Sequence, residues 1–154
     1  MKTKTFLLLC LFLVIGLTQL FAQIPPLPPP PDNKTGNGAV TYSYTWDAYW
    51  QPIDCDGFED NLIGIVSCRN VLFYKNGMPI RANTHIYGTV KSPKTNEEFK
   101  LNEKDKGEYI GLEQSMVYWH FNLIGNLGTH YIGAMTWNCL TGEMWFDKLI
   151  CISK

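Results

Sequence analysis

Few side chains in this chain have the types and spacing that do chemistry. The run Asp54-Cys55-Asp56-Gly57-Phe58-Glu59-Asp60 is its densest acidic cluster, and alternating carboxylates around a glycine can wrap oxygen ligands around Ca²⁺. Asp54, Asp56 and Asp60 are therefore the candidate metal ligands. The full calcium-loop pattern fails, because with Asp54 and Asp56 in its third and fifth places, Pro52 and Ile63 would fill the first and last. The plainer reading is a solvated turn leading into a strand, with Asp and Gly there for backbone geometry. The histidines are His85, His120 and His130. One of them beside Glu113, Glu143 or Asp147 would be equipped for acid and base work. No G-x-S-x-G, H-E-x-x-H or phosphate-cradling glycine loop occurs, so hydrolase, metalloprotease and nucleotide chemistry have no motif to stand on.

The cysteines carry the other chemistry, and the start of the chain decides its form. Lys2 and Lys4 precede an apolar run from Phe6 to Leu20, and Leu20-Phe21-Ala22 ends on a small residue. This pattern predicts a signal peptide over residues 1–22, cleaved after Ala22. Gly16, Thr18 and Gln19 interrupt the run, which is short of the roughly 20 apolar residues a spanning helix needs, so no membrane span is expected after cleavage. The expected location is secreted, periplasmic or at the cell surface. Cys10 leaves with the signal. Cys55, Cys68, Cys139 and Cys151 remain, an even number in an oxidising compartment, which predicts two disulfides. With no C-x-x-C pair among them, a zinc site is not expected.

Removing residues 1–22 leaves 132 of the 154 residues, enough for one domain with an adequate core. It also removes two of the 13 basic residues and no acid, leaving 11 against 14 and a formal charge of −3. Nothing in that balance marks a nucleic-acid or anionic-membrane partner. No cofactor is expected.

The elements that must position these groups are strands. Residues 23–38 read as a flexible Pro-rich linker: Ile24-Pro25-Pro26-Leu27-Pro28 begins a stretch biased to polyproline II, and the Asp-Asn-Lys-Thr-Gly run after it cannot bury apolar surface. The folded domain spans 39–154. Val40, Tyr42, Tyr44 and Trp46 alternate with Thr41, Ser43 and Thr45, the period of a strand with one aromatic face. Further strands are expected near 62–75, 80–91, 97–102, 115–124, 129–138 and 143–152, with turn signals such as Asn76-Gly77 and Thr141-Gly142 between them. The fold class is all-β: a single antiparallel domain of about seven to eight strands, closed as a barrel or packed as a sandwich.

Turn lengths give testable registers. Asn76-Gly77 as a two-residue turn opposes Ile63 to Val90 and Phe73 to Ile80, placing Ile63, Ile65, Val71 and Phe73 on an apolar face. A four-residue loop after Ile124 opposes Phe121 to Ile132 and Trp119 to Ala134, and sets His120 and His130 on opposite faces. The three histidines then do not share one metal. Thr141-Gly142 as a two-residue turn puts Cys151 opposite Ile132, about 23 Å along the strand from Cys139. A disulfide spans only about 6 Å between Cα atoms, so these two cysteines do not bridge each other. Cys55 with Cys151 is the first expected pair and Cys68 with Cys139 the second, while Cys55 with Cys68 stays open.

Aromatic residues are the remaining positive feature, and most of them fill a β core. Tyr49 and Trp50, beside Asp47, Gln51 and Pro52, are candidates for a stacking surface on a sugar or an anchor for a protein partner. In a closed barrel, Trp119, Tyr131 and Trp137 are candidates to line an apolar cavity. The Phe21-Ala22-Gln23 junction, the Asp-rich segment around Cys55 and the Gly125-to-Gly133 hairpin resemble small exported bacterial proteins, a likeness of layout that carries over no functional residue. The expectation is an exported, disulfide-stabilised domain that acts by binding, its partner a small apolar or sugar ligand or an envelope protein. The alternatives are a small cofactor-free enzyme using His120 or His85 as acid or base, and a purely structural envelope protein.

Overall fold

In the computed structural model, which describes residues 26–152, the chain forms seven strands: β1 (Gly38–Cys55), β2 (Phe58–Lys75), β3 (Met78–Lys91), β4 (Glu98–Ile110), β5 (Glu113–Gly125), β6 (His130–Asn138) and β7 (Met144–Ile152). The signal segment lies outside the described residues. Each strand pairs antiparallel with the next, giving one sheet in chain order. The tight turns explain that order. Asp56-Gly57 and Asn76-Gly77 have φ values of 49° and 84°, and of 52° and 75°, the doubly left-handed geometry whose twist matches an antiparallel hairpin. At the start, Gly36 accepts the Gly77 N–H at 3.0 Å and Asn37 Oδ1 accepts the Asn76 N–H at 2.7 Å. The Tyr74 hydroxyl reaches back to the Pro28 carbonyl. The residues before β1 thus lie against the β2–β3 turn.

The sheet is neither a barrel nor a sandwich. It curls until a disulfide joins Cys55 at the end of β1 to Cys151 near the end of β7, with 6.2 Å between the Cα atoms, yet no ladder runs between those two strands. An odd-numbered meander explains this. Its first and last strands run in the same direction, so closing the seam would require a slanted parallel ladder, the weaker kind. The lengths also differ, with 18 residues in β1 and nine in β7. The inner face is a packed core: Leu62, Val66, Val90, Phe99, Leu101, Phe121 and Leu123 are all essentially inaccessible.

Two registers differ from the expectation by one residue, which exchanges the faces of a strand. On β2 and β3, Lys75 opposes Met78 and Tyr74 opposes Pro79 as expected, but the ladder then shifts so that Phe73 opposes Arg81 and leaves Ile80 as the extra residue. Pro79 has no N–H to give the ladder, and a bulge is the usual accommodation. Val66, Cys68, Leu72, Ala82, Ile86 and Val90 consequently face the core, while Ile63 and Ile65 stand outside, 52% and 65% exposed. Between β5 and β6 the loop has five residues, with Ile124 opposite His130 and Phe121 opposite Gly133. His120 and His130 therefore share the outer face. On β7 a bulge at Asp147 sets Cys151 opposite Tyr131.

The expected Cys68–Cys139 bridge does not form, and both thiols are free. Cys68 lies in a row with Ile86, Glu103, Phe121 and Gly133. Cys139 is six residues beyond Gly133, about 20 Å along the strand direction. Its N–H is held by the Ser115 carbonyl at 2.9 Å, at the end of the sheet remote from the disulfide.

Candidate binding face

Strand β4 builds the least expected feature of the interior. Phe99, Leu101, Glu103, Asp105 and Gly107 all point inward, while Lys100, Asn102, Lys104 and Lys106 point outward. Two carboxyls are thereby placed in the core. Glu103 accepts a hydrogen bond from the Tyr49 hydroxyl, and Gln51, also buried, sits 3.1 Å from that hydroxyl. Burial raises the pKa of Asp105 well above the ordinary carboxyl value, and the negative charge of Glu103 raises it further. Burial also raises Glu103, against the opposing hydrogen bonds from Tyr49 and Asp105. Both carboxyls are therefore held toward the protonated form, and the pair retains a proton between them. Asp105 Oδ1, Trp46 Nε1 and Asn70 Nδ2 are buried without a protein partner. Nearby, burial pushes the Cys68 thiol up to about 11, so it is neither a thiolate nor a nucleophile.

The outer face is ordered differently. Reading across the ladders, Ser43, Arg69, His85, Lys104, His120, Ala134 and Lys148 stand opposite one another in turn, a single row that spans all seven strands. The row toward the disulfide holds Ser67, Tyr87, Asn102, Asn122, Ile132 and Ile150, and the row on the other side Val71, Asn83, Lys106, Tyr118, Thr136 and Trp145. No acid belongs to any of the three rows. The fixed cations Arg69 and Lys104 alternate with the imidazoles of His85 and His120 along this row, with Lys148 beyond Ala134, and none of them faces an acid across the ladders.

The acids lie elsewhere. Asp60, Glu97, Glu103 and Asp105 are buried, and Asp54, Asp56 and Glu59 crowd the β1–β2 turn. The sole ion pair among the described residues joins Lys106 to Glu108 at 2.7 Å, which leaves Arg69, Lys104 and Lys148 without an acidic partner. Asp147, the bulge residue beside Lys148, is held by Thr136 Oγ1 and Trp145 Nε1 at 2.6 and 3.0 Å. Two shallow grooves of about 520 and 360 Å³ follow the row and meet at Lys104 and His120. The His85 ring donates to Asn102 Oδ1 at 3.0 Å and stacks, tilted, beside Tyr87 at 5.1 Å.

The residues singled out in the sequence are scattered by comparison. Trp50, Trp119 and Trp137 do come together, their rings 6.3 and 6.1 Å apart in succession, with Trp50 42% exposed. Tyr131 instead stacks on Phe99 within the core, and Tyr49 is committed to Glu103. Asp54 is exposed on the outer face, Asp56 sits in the turn, and Asp60 is buried and accepts from the Ser92 hydroxyl. Among the described residues no group of three or more His, Cys, Asp or Glu side chains is placed to hold a metal. No histidine among them hydrogen-bonds a carboxylate; His85 and His130 each meet an asparagine.

These features define a class by structure alone, a curled seven-stranded antiparallel meander clasped by one disulfide. The chain matches no protein-family model, no curated protein and no solved structure.

Proposed function

We propose that this is an exported, non-catalytic binding domain whose working surface is the convex outer face of the sheet. The observation that carries the reading is the division between the two faces. Inside, the apolar side chains are packed out of reach of solvent, and the ionisable groups are neutralised or hydrogen-bonded. Outside, basic, amide and phenolic side chains stand in register with few partners of their own. Side chains that are ordered by a rigid sheet and not consumed by the fold are preorganised for a ligand.

Export is supported by the signal-like start and by the Cys55–Cys151 disulfide, a bond that persists in oxidising compartments. Among the described residues no helix is long and apolar enough to cross a membrane. An acid-base enzyme working through a histidine lacks the carboxylate partner that would orient it.

A thermal-shift panel of glycans, fatty acids, haem-like compounds and divalent ions on the purified protein tests the reading, because a ligand that binds only the folded state raises its melting temperature. Glycans are expected to raise it and fatty acids to leave it unchanged. Stabilisation by a fatty acid alone would move the site to the open apolar cavity of about 1010 Å³ lined by Phe73, Ile80, Tyr109, Ile110, Met116 and Leu140, and would overturn the assignment of the outer face.

A further inference from the structure

We infer that the row Arg69, His85, Lys104, His120 and Lys148 is a track for an extended anionic polysaccharide, a carboxylated or sulfated glycan laid across the strands. This rests on the binding reading above and adds the ligand class and its direction on the sheet.

Arg69, His85, Lys104 and His120 belong to four consecutive strands and are opposed pairwise, and neighbouring strands lie about 4.8 Å apart. The cations Arg69 and Lys104 therefore stand about 9.6 Å apart, two strands from one another, with an imidazole between them and another beyond, all along one line. An extended anionic chain meets such a line at several points, whereas a single small anion would use one point and leave the other cations without a counter-charge.

Tyr87, 47% exposed, offers a ring for stacking on a sugar. Asn83 and Asn102 stand on either side of His85 and Lys104 in the adjoining rows and offer amides to hydroxyl groups.

The sheet curls far enough for β1 and β7 to share a disulfide, so the row wraps a convex surface. A flat bilayer touches only part of such a row, while a flexible chain follows all of it. The phosphates of nucleic acid recur at about 3.4 Å along each strand, a denser anion spacing than the roughly 9.6 Å between Arg69 and Lys104, which stand two strands apart.

The test is a fluorescence titration of the purified protein with labelled polygalacturonate, dextran sulfate and uncharged dextran, at about 50 and 300 mM NaCl. Single-stranded DNA and anionic phospholipid vesicles serve as further probes. Polygalacturonate or dextran sulfate is expected to bind and to weaken at the higher salt, with uncharged dextran at least tenfold weaker; which of the two binds better separates a carboxylate from a sulfate ligand.

The double substitution Arg69→Gln with Lys104→Gln is expected to lose about tenfold or more in affinity. Lys34→Gln with Lys75→Gln removes the same charge away from the row and is expected to stay within about twofold. Melting curves establish that both variants are folded. If the two double variants weaken alike, or uncharged dextran binds as well as the charged polymers, the track is wrong while the binding reading stands. Binding to DNA or vesicles with none to the charged glycans overturns the ligand class, and no binding to any probe overturns both.

Discussion

Asp105 and Glu103 show how a single strand position converts a surface residue type into a core group. Ionising both carboxyls side by side in a dry interior is costly, so the pair keeps a proton that the unfolded chain gives up near the ordinary values of 3.8 and 4.5. The sign follows. The folded state binds more protons than the unfolded state above about pH 4, so stability is greatest on the acidic side and falls as pH rises from there. Asp105→Asn keeps the shape and removes the titration. Its melting temperature is expected to exceed that of the parent by about 4 °C at pH 8 and to lie close to it at pH 4.5. Melting curves across that range check this, and an unchanged slope with pH would show that the pair carries no titration. The same burial explains why Cys68, a free thiol, is expected to resist alkylation until the protein unfolds.

At the scale of the element, the difference between what sequence shows and what the fold does is one residue of register. The period of two along Val40 to Trp46, the Asn76-Gly77 turn and the strand positions were legible because each is local. The bulge at Ile80 and the five-residue loop after Ile124 were not, since each depends on how neighbouring strands settle, and either one exchanges core and surface along a strand. The basic row was invisible for the same reason. Its members lie 16 or more residues apart in sequence and only the ladders bring them together. Glu103 and Asp105 did leave a signal, the alternation Phe99, Leu101, Glu103, Asp105 against outward lysines, which becomes visible only if β4 is extended past Asn102. What pins β5 to β6 is a glycine. The Phe121 ring lies over Gly133, directly opposite, and a Cβ there would overlap the ring. Gly133→Ala is expected to cost about 1–3 kcal/mol through this overpacking. Denaturant unfolding measures it, and a cost below about 0.5 kcal/mol would mean that Phe121 can move aside without loss.

For the whole molecule, the question is what holds a curled sheet shut when its edges share no hydrogen bonds. Strands β1 and β7 run the same way and form no ladder, and most of the side chains of β7 are exposed. The Cys55–Cys151 bond is thus the one covalent tie across the seam, and it closes a sequence separation of 96 residues. A loop of that length loses much freedom in the unfolded chain when closed, about 4.7 kcal/mol in the chain-entropy view, with measured values for disulfides in general nearer 2–4. Cys55→Ser is expected to lower stability by about 3 kcal/mol and to speed amide exchange first along β7, whose packing is thinnest. Intact mass should fall by about 2 Da on oxidation, for one bond and two remaining thiols. A loss of about 4 Da would place Cys68 and Cys139 in a second bridge and contradict the register that separates them. If Cys55→Ser instead melts like the parent, with β7 exchange unchanged, then the contacts of Phe146 and Leu149 with the core hold the seam unaided. In that case the disulfide is a consequence of the curl and not its cause.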